Sequence, residues 1–135
     1  LGIPGGRIDE ALRTVDLADT GRKRAGRLSL GMKQRLGIAL ALLAHPRLLI
    51  LGEPTNSLDS IGIEELRGRI RSFPTRGITV IVSSHILVEV QHVANDIGII
   101  TAGQLAYETP LEKGQGLEAL FMDVSRPAAQ KGVAA

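Results

Sequence analysis

Four consecutive aliphatic residues, Leu48-Leu49-Ile50-Leu51, stop abruptly at Gly52-Glu53-Pro54. A run that short, apolar at every position and closed by turn formers, suits a strand buried on both faces, as in a parallel sheet. Ile78 to Val82, β-branched at every position, reads as a second buried strand. Between the two, Ile63, Leu66, Ile70 and Phe73 recur at helical spacing, and Pro74 and Gly77 close the stripe. Leu87, Val90, Val93 and Ala94 mark another helix, and Ile97 to Ile100 a third strand. Strand, helix, strand, helix, strand is the alternation of a parallel α/β sheet with right-handed crossovers.

Upstream, Ile8, Leu12 and Val15 predict a helix between Arg7 and Leu17, followed by a polar loop from Ala18 to Arg27. Ser29 sits where an N-cap belongs, and Met32, Leu36, Ala39, Leu40 and Leu43 then form one apolar stripe. His45-Pro46 ends that helix, because the residue before proline avoids the helical region. Downstream, Thr101-Ala102-Gly103-Gln104 reads as a turn into Leu105-Ala106-Tyr107, a hairpin. A last short helix is expected over 117–124, and a frayed tail from Arg126.

Composition removes several function classes. The 135 residues contain no cysteine, which excludes disulfides and thiolate metal sites. Three scattered histidines give no zinc pattern, and no metal-binding residues are expected. The basic residues Arg22, Lys23, Arg24, Arg27, Lys33 and Arg35 cluster. Without interleaved aromatics they read as a solvated face rather than a nucleic-acid surface. No apolar run approaches the ~20 residues of a membrane span, and the polar, glycine-containing first ten residues do not read as a signal peptide. A start at Leu1 rather than Met fits a fragment, a processed chain or an incomplete reading of the gene.

Ligands of parallel α/β sheets bind beyond the carboxyl ends of the strands. Glu53 follows the first strand there, and Ser83-Ser84-His85 follows the second. Adjacent strands would bring Glu53 and His85 to one edge, where a carboxylate can deprotonate water and an imidazole can donate to a phosphate oxygen. Pro54 is expected to hold Glu53 extended, with its side chain aimed outward. Ser29 and Gly31 open a helix whose N–H groups and dipole form an anion site.

Leu28-Ser29-Leu30-Gly31-Met32-Lys33-Gln34-Arg35, followed by Leu48 to Gly52 and Glu53-Pro54-Thr55-Asn56-Ser57-Leu58-Asp59, resembles the signature motif, Walker B strand and D-loop of an ATP-binding-cassette (ABC) transporter ATPase. Together with Ile78 to Val90, the string is most similar to the bacitracin and lantibiotic export or immunity branch, and the likeness runs from about Arg7 to Asp123. The resemblance implies a partial P-loop NTPase core of ABC type, with parallel strands, an N-terminal helical-subdomain segment and a C-terminal β-hairpin. It divides the chain into residues 1–45 (helical subdomain with the signature), 46–124 (the later part of the ATPase core) and a tail, 125–135.

The resemblance also implies roles. Ser29 and Gly31 would contact the γ-phosphate of ATP held by the opposite subunit, and Glu53 would be the catalytic base. Asp59 would close the D-loop at the dimer interface, and His85 would be the switch histidine. ATP and Mg²⁺ are the family's ligands; a second ATPase subunit and a membrane permease are its partners, with no nucleic acid. The expected location is cytoplasmic, peripheral at the inner face of the membrane. The function implied is a fragment of an ATPase subunit powering export of a peptide antibiotic or similar amphiphile, a role tied to antibiotic resistance. The pattern is broken in three places. Leu30 and Met32 replace the Gly and Gln of the commonest signature, and Gly52 stands at the Walker B Asp. No G-x-x-x-x-G-K followed by Ser or Thr occurs in the 135 residues, so the chain lacks the principal cradle for ATP. Two alternatives remain open: a non-catalytic cassette lending its signature to a partner subunit, and a degenerate product without activity.

Overall fold

The computed structural model describes residues 2–20 and 24–126. Residues 22 and 23 of the basic cluster, and the tail beyond Arg126, lie outside the described residues. The chain divides between Ser84 and His85 into two units.

The first unit begins with α1 (Gly5–Thr14). The expected stripe closes differently from the spacing. Val15 and Leu17, both fully buried, lie just past the helix. The backbone turns at Asp16, with φ +55°, and the Leu17 N–H donates to the Leu12 carbonyl at 2.8 Å. Ile8, the first residue of the predicted stripe, stays exposed. The polar loop holds two short 3₁₀ turns, Ala18–Thr20 and Ala25–Arg27.

Helix α2 (Leu30–Leu42) is capped by Ser29, as its position requires. Its buried face is Ile38, Ala39 and Leu42, whereas Leu40 is 60% exposed. Of the predicted stripe, Ala39 is buried and Met32, Leu36 and Leu43 are half-buried, so the inner face departs from it at Leu40 and adds Ile38 and Leu42. From Leu36 to Leu43 the helix is apolar almost all round, so packing against α1 selects the inner face and periodicity does not.

Strand β1 (Leu48–Gly52) pairs in parallel with β2 (Thr79–Ser83), Leu48 opposite Thr79 and Gly52 opposite Ser83. The adjacency and direction agree with the sequence; burial on both faces does not. Leu49 and Leu51 are buried, while Leu48, Ile50 and Ile81 on the opposite face are 48%, 67% and 52% exposed. Helix α3 (Ser60–Ser72) connects the two strands and buries Leu66 and Ile70. Phe73, wholly buried, opens a 3₁₀ turn that ends at Gly77, whose φ of +77° is open to glycine at little cost.

The second unit holds α4 (Leu87–Val93), β3 (Asp96–Thr101), β4 (Gln104–Pro110) and α5 (Leu117–Ser125). The expected hairpin is present: β3 ladders antiparallel with β4, Thr101 opposite Gln104. The physical reason is the turn: Ala102 and Gly103 both have positive φ, 48° and 75°, the two-residue geometry that folds a strand back on its neighbour. Among the described residues of this unit, Ile97, Ile99 and Leu117 are the buried apolar ones. Among the described residues no helix is long and apolar enough to cross a membrane.

Candidate functional site

The site in the first unit is built where β1 runs out. Gly52 is the last strand residue, and the Glu53 N–H donates to the Ser83 carbonyl at 2.8 Å, extending the parallel ladder by one bond. Glu53 then takes φ +45°. The expected extended conformation is overturned here. The Pro54 ring disfavours the right-handed helical region before it, and the Asn56 N–H reaches back to the Glu53 carbonyl at 3.2 Å. The left-handed turn avoids that region and closes the Asn56 bond, at the expense of the extended conformation that proline favours before it. It leaves Glu53 partly buried with its Oε2 atom sequestered rather than aimed into solvent. Non-glycine residues hold that conformation at a cost of ~1–2 kcal/mol, and such strain gathers at functional sites.

Pro54 and Thr55 are buried beneath this turn. Ser57 also has positive φ, 66°, and the turn ends at Asp59, whose Oδ1 accepts the Gly62 N–H at 2.8 Å and caps α3. Asp59 thus has a local structural role at the position the resemblance assigns to the dimer interface.

The N-terminus of α2 supplies the second part. Ser29 Oγ accepts the Met32 N–H at 3.2 Å, and the Ser29 carbonyl accepts the Lys33 N–H at 2.9 Å. By helical geometry the N–H groups of Leu30 and Gly31 have no intrahelical acceptor, so this exposed end presents donors and the positive end of the dipole. Gly31 lies over the turn after β1: a Cβ built there would meet Leu58 Cδ2 at 3.5 Å, an ordinary contact.

Two side chains fasten α2 to the segments that follow β1, one to the carboxylate turn and one to α3. Gln34 Nε2 donates to the Pro54 carbonyl at 2.7 Å, one residue from Glu53. Arg35 forms an ion pair with Glu65 on α3. Both were legible only as parts of a motif. Their bonding to residues 20 and 30 positions away leaves no local pattern, although Gln34 lies five residues after the cap, near one and a half turns along α2. Ser29, Gly31, Glu53 and Asp59 therefore belong to one unit. His85, in an exposed bend before α4, opens the other.

A terminal phosphate suits the open N–H groups of α2. Magnesium fits less well. Gly52 has no side-chain oxygen to offer, and among the described residues no three His, Asp or Glu side chains gather as a ligand group.

The sequence pattern of the ABC transporter family matches residues 4–56. Over 121 residues, 90% of its length, the chain is 48% identical to the lantibiotic transport ATP-binding protein SrtF of Streptococcus pyogenes. Over 106 residues, 78% of its length, it is 53% identical to the bacitracin transport ATP-binding protein BcrA of Bacillus licheniformis. It spans 53% of the first protein and 35% of the second, about half of these relatives or less. The fold superposes on an ATP-binding subunit of an ABC transporter with a TM-score of 0.76 at 24% identity, covering 93% of this chain and 57% of the other. Against cbiO1 of Clostridium perfringens, part of an ABC transporter complex, the TM-score is 0.72 at 29% identity, covering 78% of this chain and 42% of the other.

Proposed function

The chain belongs to the ABC transporter family of ATP-binding proteins, and on that premise we propose that it forms the signature and Walker B part of an ATPase subunit that powers export of a peptide antibiotic of the lantibiotic or bacitracin type. The observation that carries the reading is the Gln34 bond to the Pro54 carbonyl. It ties a helix end suited to phosphate to a strand-end carboxylate within one unit. In this reading Ser29 and Gly31 grip the γ-phosphate of ATP bound to a partner ATPase subunit. Glu53 takes the proton of the attacking water, His85 donates to the γ-phosphate, and Asp59 steers the D-loop across the dimer interface. A membrane permease selects the cargo and holds the subunit at the inner face of the membrane. Positioning supplies much of phosphoryl-transfer catalysis, which gives the α2 tether a catalytic purpose.

A chimera tests this. Residues 4–124 replace the equivalent segment of the Bacillus bacitracin transport protein, expressed with its permease in a sensitive strain. The chimera is expected to restore bacitracin tolerance, and its Glu53→Gln variant to lose it. A folded, expressed chimera that confers none would sink the proposal.

Gly52 favours a second reading, a cassette that lends Ser29 and Gly31 to a complete partner without turning over nucleotide itself. That reading predicts that Glu53→Gln leaves tolerance intact while Ser29→Arg abolishes it.

A further inference from the structure

We propose that the cavity at the N-terminal ends of β1 and β2 binds a compact phosphoryl anion, at a site separate from the nucleotide region. The cavity holds about 220 Å³ and lies within the first unit. Arg7 and Glu10 reach it from α1, His45 and Arg47 from the segment between α2 and β1, and Arg76 from the turn before β2. Glu53 stands at the other end of β1, about 16 Å away at the rise of a five-residue strand. The inference does not rest on the proposed export function.

Three guanidinium groups share this cavity with one carboxylate. Arg76 is occupied: its Nη2 pairs with Glu10 Oε1 at 3.6 Å, and its Nη1 donates to Thr14 Oγ1 at 3.2 Å. Among the described residues Arg7 and Arg47 make no ion pair, and both are exposed at the rim. Arg7 stands in the first turn of α1, where a cation opposes the helix dipole. Like charges collected from three elements repel one another unless an anion joins them.

The floor of the cavity is apolar, formed by the buried residues Ala11, Leu42 and Ile78. With Glu10 matched by Arg76, the remaining excess of charge is positive, and an excess of one sign over low-dielectric walls favours a counter-ion. Guanidinium groups answer phosphate with paired, parallel donors. The volume falls below the ~300–1,000 Å³ of drug-sized ligand pockets, which favours a phosphate or diphosphate group over a whole nucleotide. The group can come from a soluble oligophosphate or from an anionic phospholipid headgroup.

The test uses the full chain and inorganic pyrophosphate, titrated calorimetrically at constant ionic strength. Saturable one-to-one binding is expected, weakened at least tenfold in Arg47→Gln and in Arg7→Gln and partly retained in Arg47→Lys. Arg71→Gln, on the exposed side of α3, is expected to bind as the parent does. Circular dichroism confirms that each variant is folded. Co-sedimentation with phosphatidylglycerol–phosphatidylcholine vesicles separates the sources: Arg47-dependent sedimentation indicates a headgroup, and pyrophosphate binding alone indicates a soluble ligand. Absent or unsaturable binding, an equal loss in Arg71→Gln, or a loss in Ser29→Ala instead of Arg47→Gln overturns the proposal.

Discussion

Gly52 ends its strand with space beside it: an added Cβ meets only Ser83 Oγ, at 3.6 Å, within 4 Å. The first carbon of a side chain is therefore accommodated where the family usually carries Asp. In the chimera, Gly52→Asp is expected to raise kcat more than it tightens nucleotide affinity, the pattern of an interaction made mainly in the transition state. Equal kcat in both versions would mean that Gly52 is harmless. Glu53 shows the opposite trade. Its left-handed backbone suits glycine, so Glu53→Gly is expected to stabilise the chain by about 1 kcal/mol while removing the proposed base. Urea denaturation reads the first effect, and a fall in stability would show that the turn is not strained. Ser29→Ala removes a cap that bonds a single N–H and is expected to cost ~1 kcal/mol, visible in the same experiment.

At the scale of elements, the two faces of the β1–β2 pair carry unequal weight. Leu49 is 3% exposed and Ile50 is 67% exposed. Leu49→Ala is expected to cost ~2–5 kcal/mol as a cavity-forming change, and Ile50→Thr less than about 1 kcal/mol. Similar losses from both would contradict the alternation in burial. The helix α2 tether sets a second contrast. Gln34→Ala deletes the bond to the Pro54 carbonyl at a net cost of ~0.5–1.5 kcal/mol. Its effect on chimera turnover is expected to exceed its effect on melting temperature, because it frees the carboxylate turn from the helix end proposed to grip phosphate. A turnover loss no larger than the stability loss predicts would reduce Gln34 to a packing residue.

For the molecule as a whole, the 135 residues with Mg-ATP are expected to release phosphate negligibly, since no phosphate loop in this sequence fixes the nucleotide against Glu53. Turnover abolished by Glu53→Gln would refute this. The sequence by itself determined the parallel pairing of Leu48–Leu51 with Ile78–Val82, the Ser29 cap, the hairpin and the family. Each rests on local chemistry: branched aliphatics in short runs, a hydroxyl before a helix, glycine in a turn. The tertiary structure alone decided the rest. Helix α2 is apolar on nearly every side near its C-terminus, so only contact with α1 could choose Ile38 and Leu42 over Leu40. A continuous apolar strand reads the same whether one face or two are covered, so only packing could reveal that Ile50 and Ile81 are open. The conformation of Glu53 followed neither from its own preference nor from Pro54 alone. It is fixed by a ladder bond to Ser83, a residue 30 positions away, together with the turn that Asn56 closes, and long-range bonds of that kind leave no local signature in the sequence.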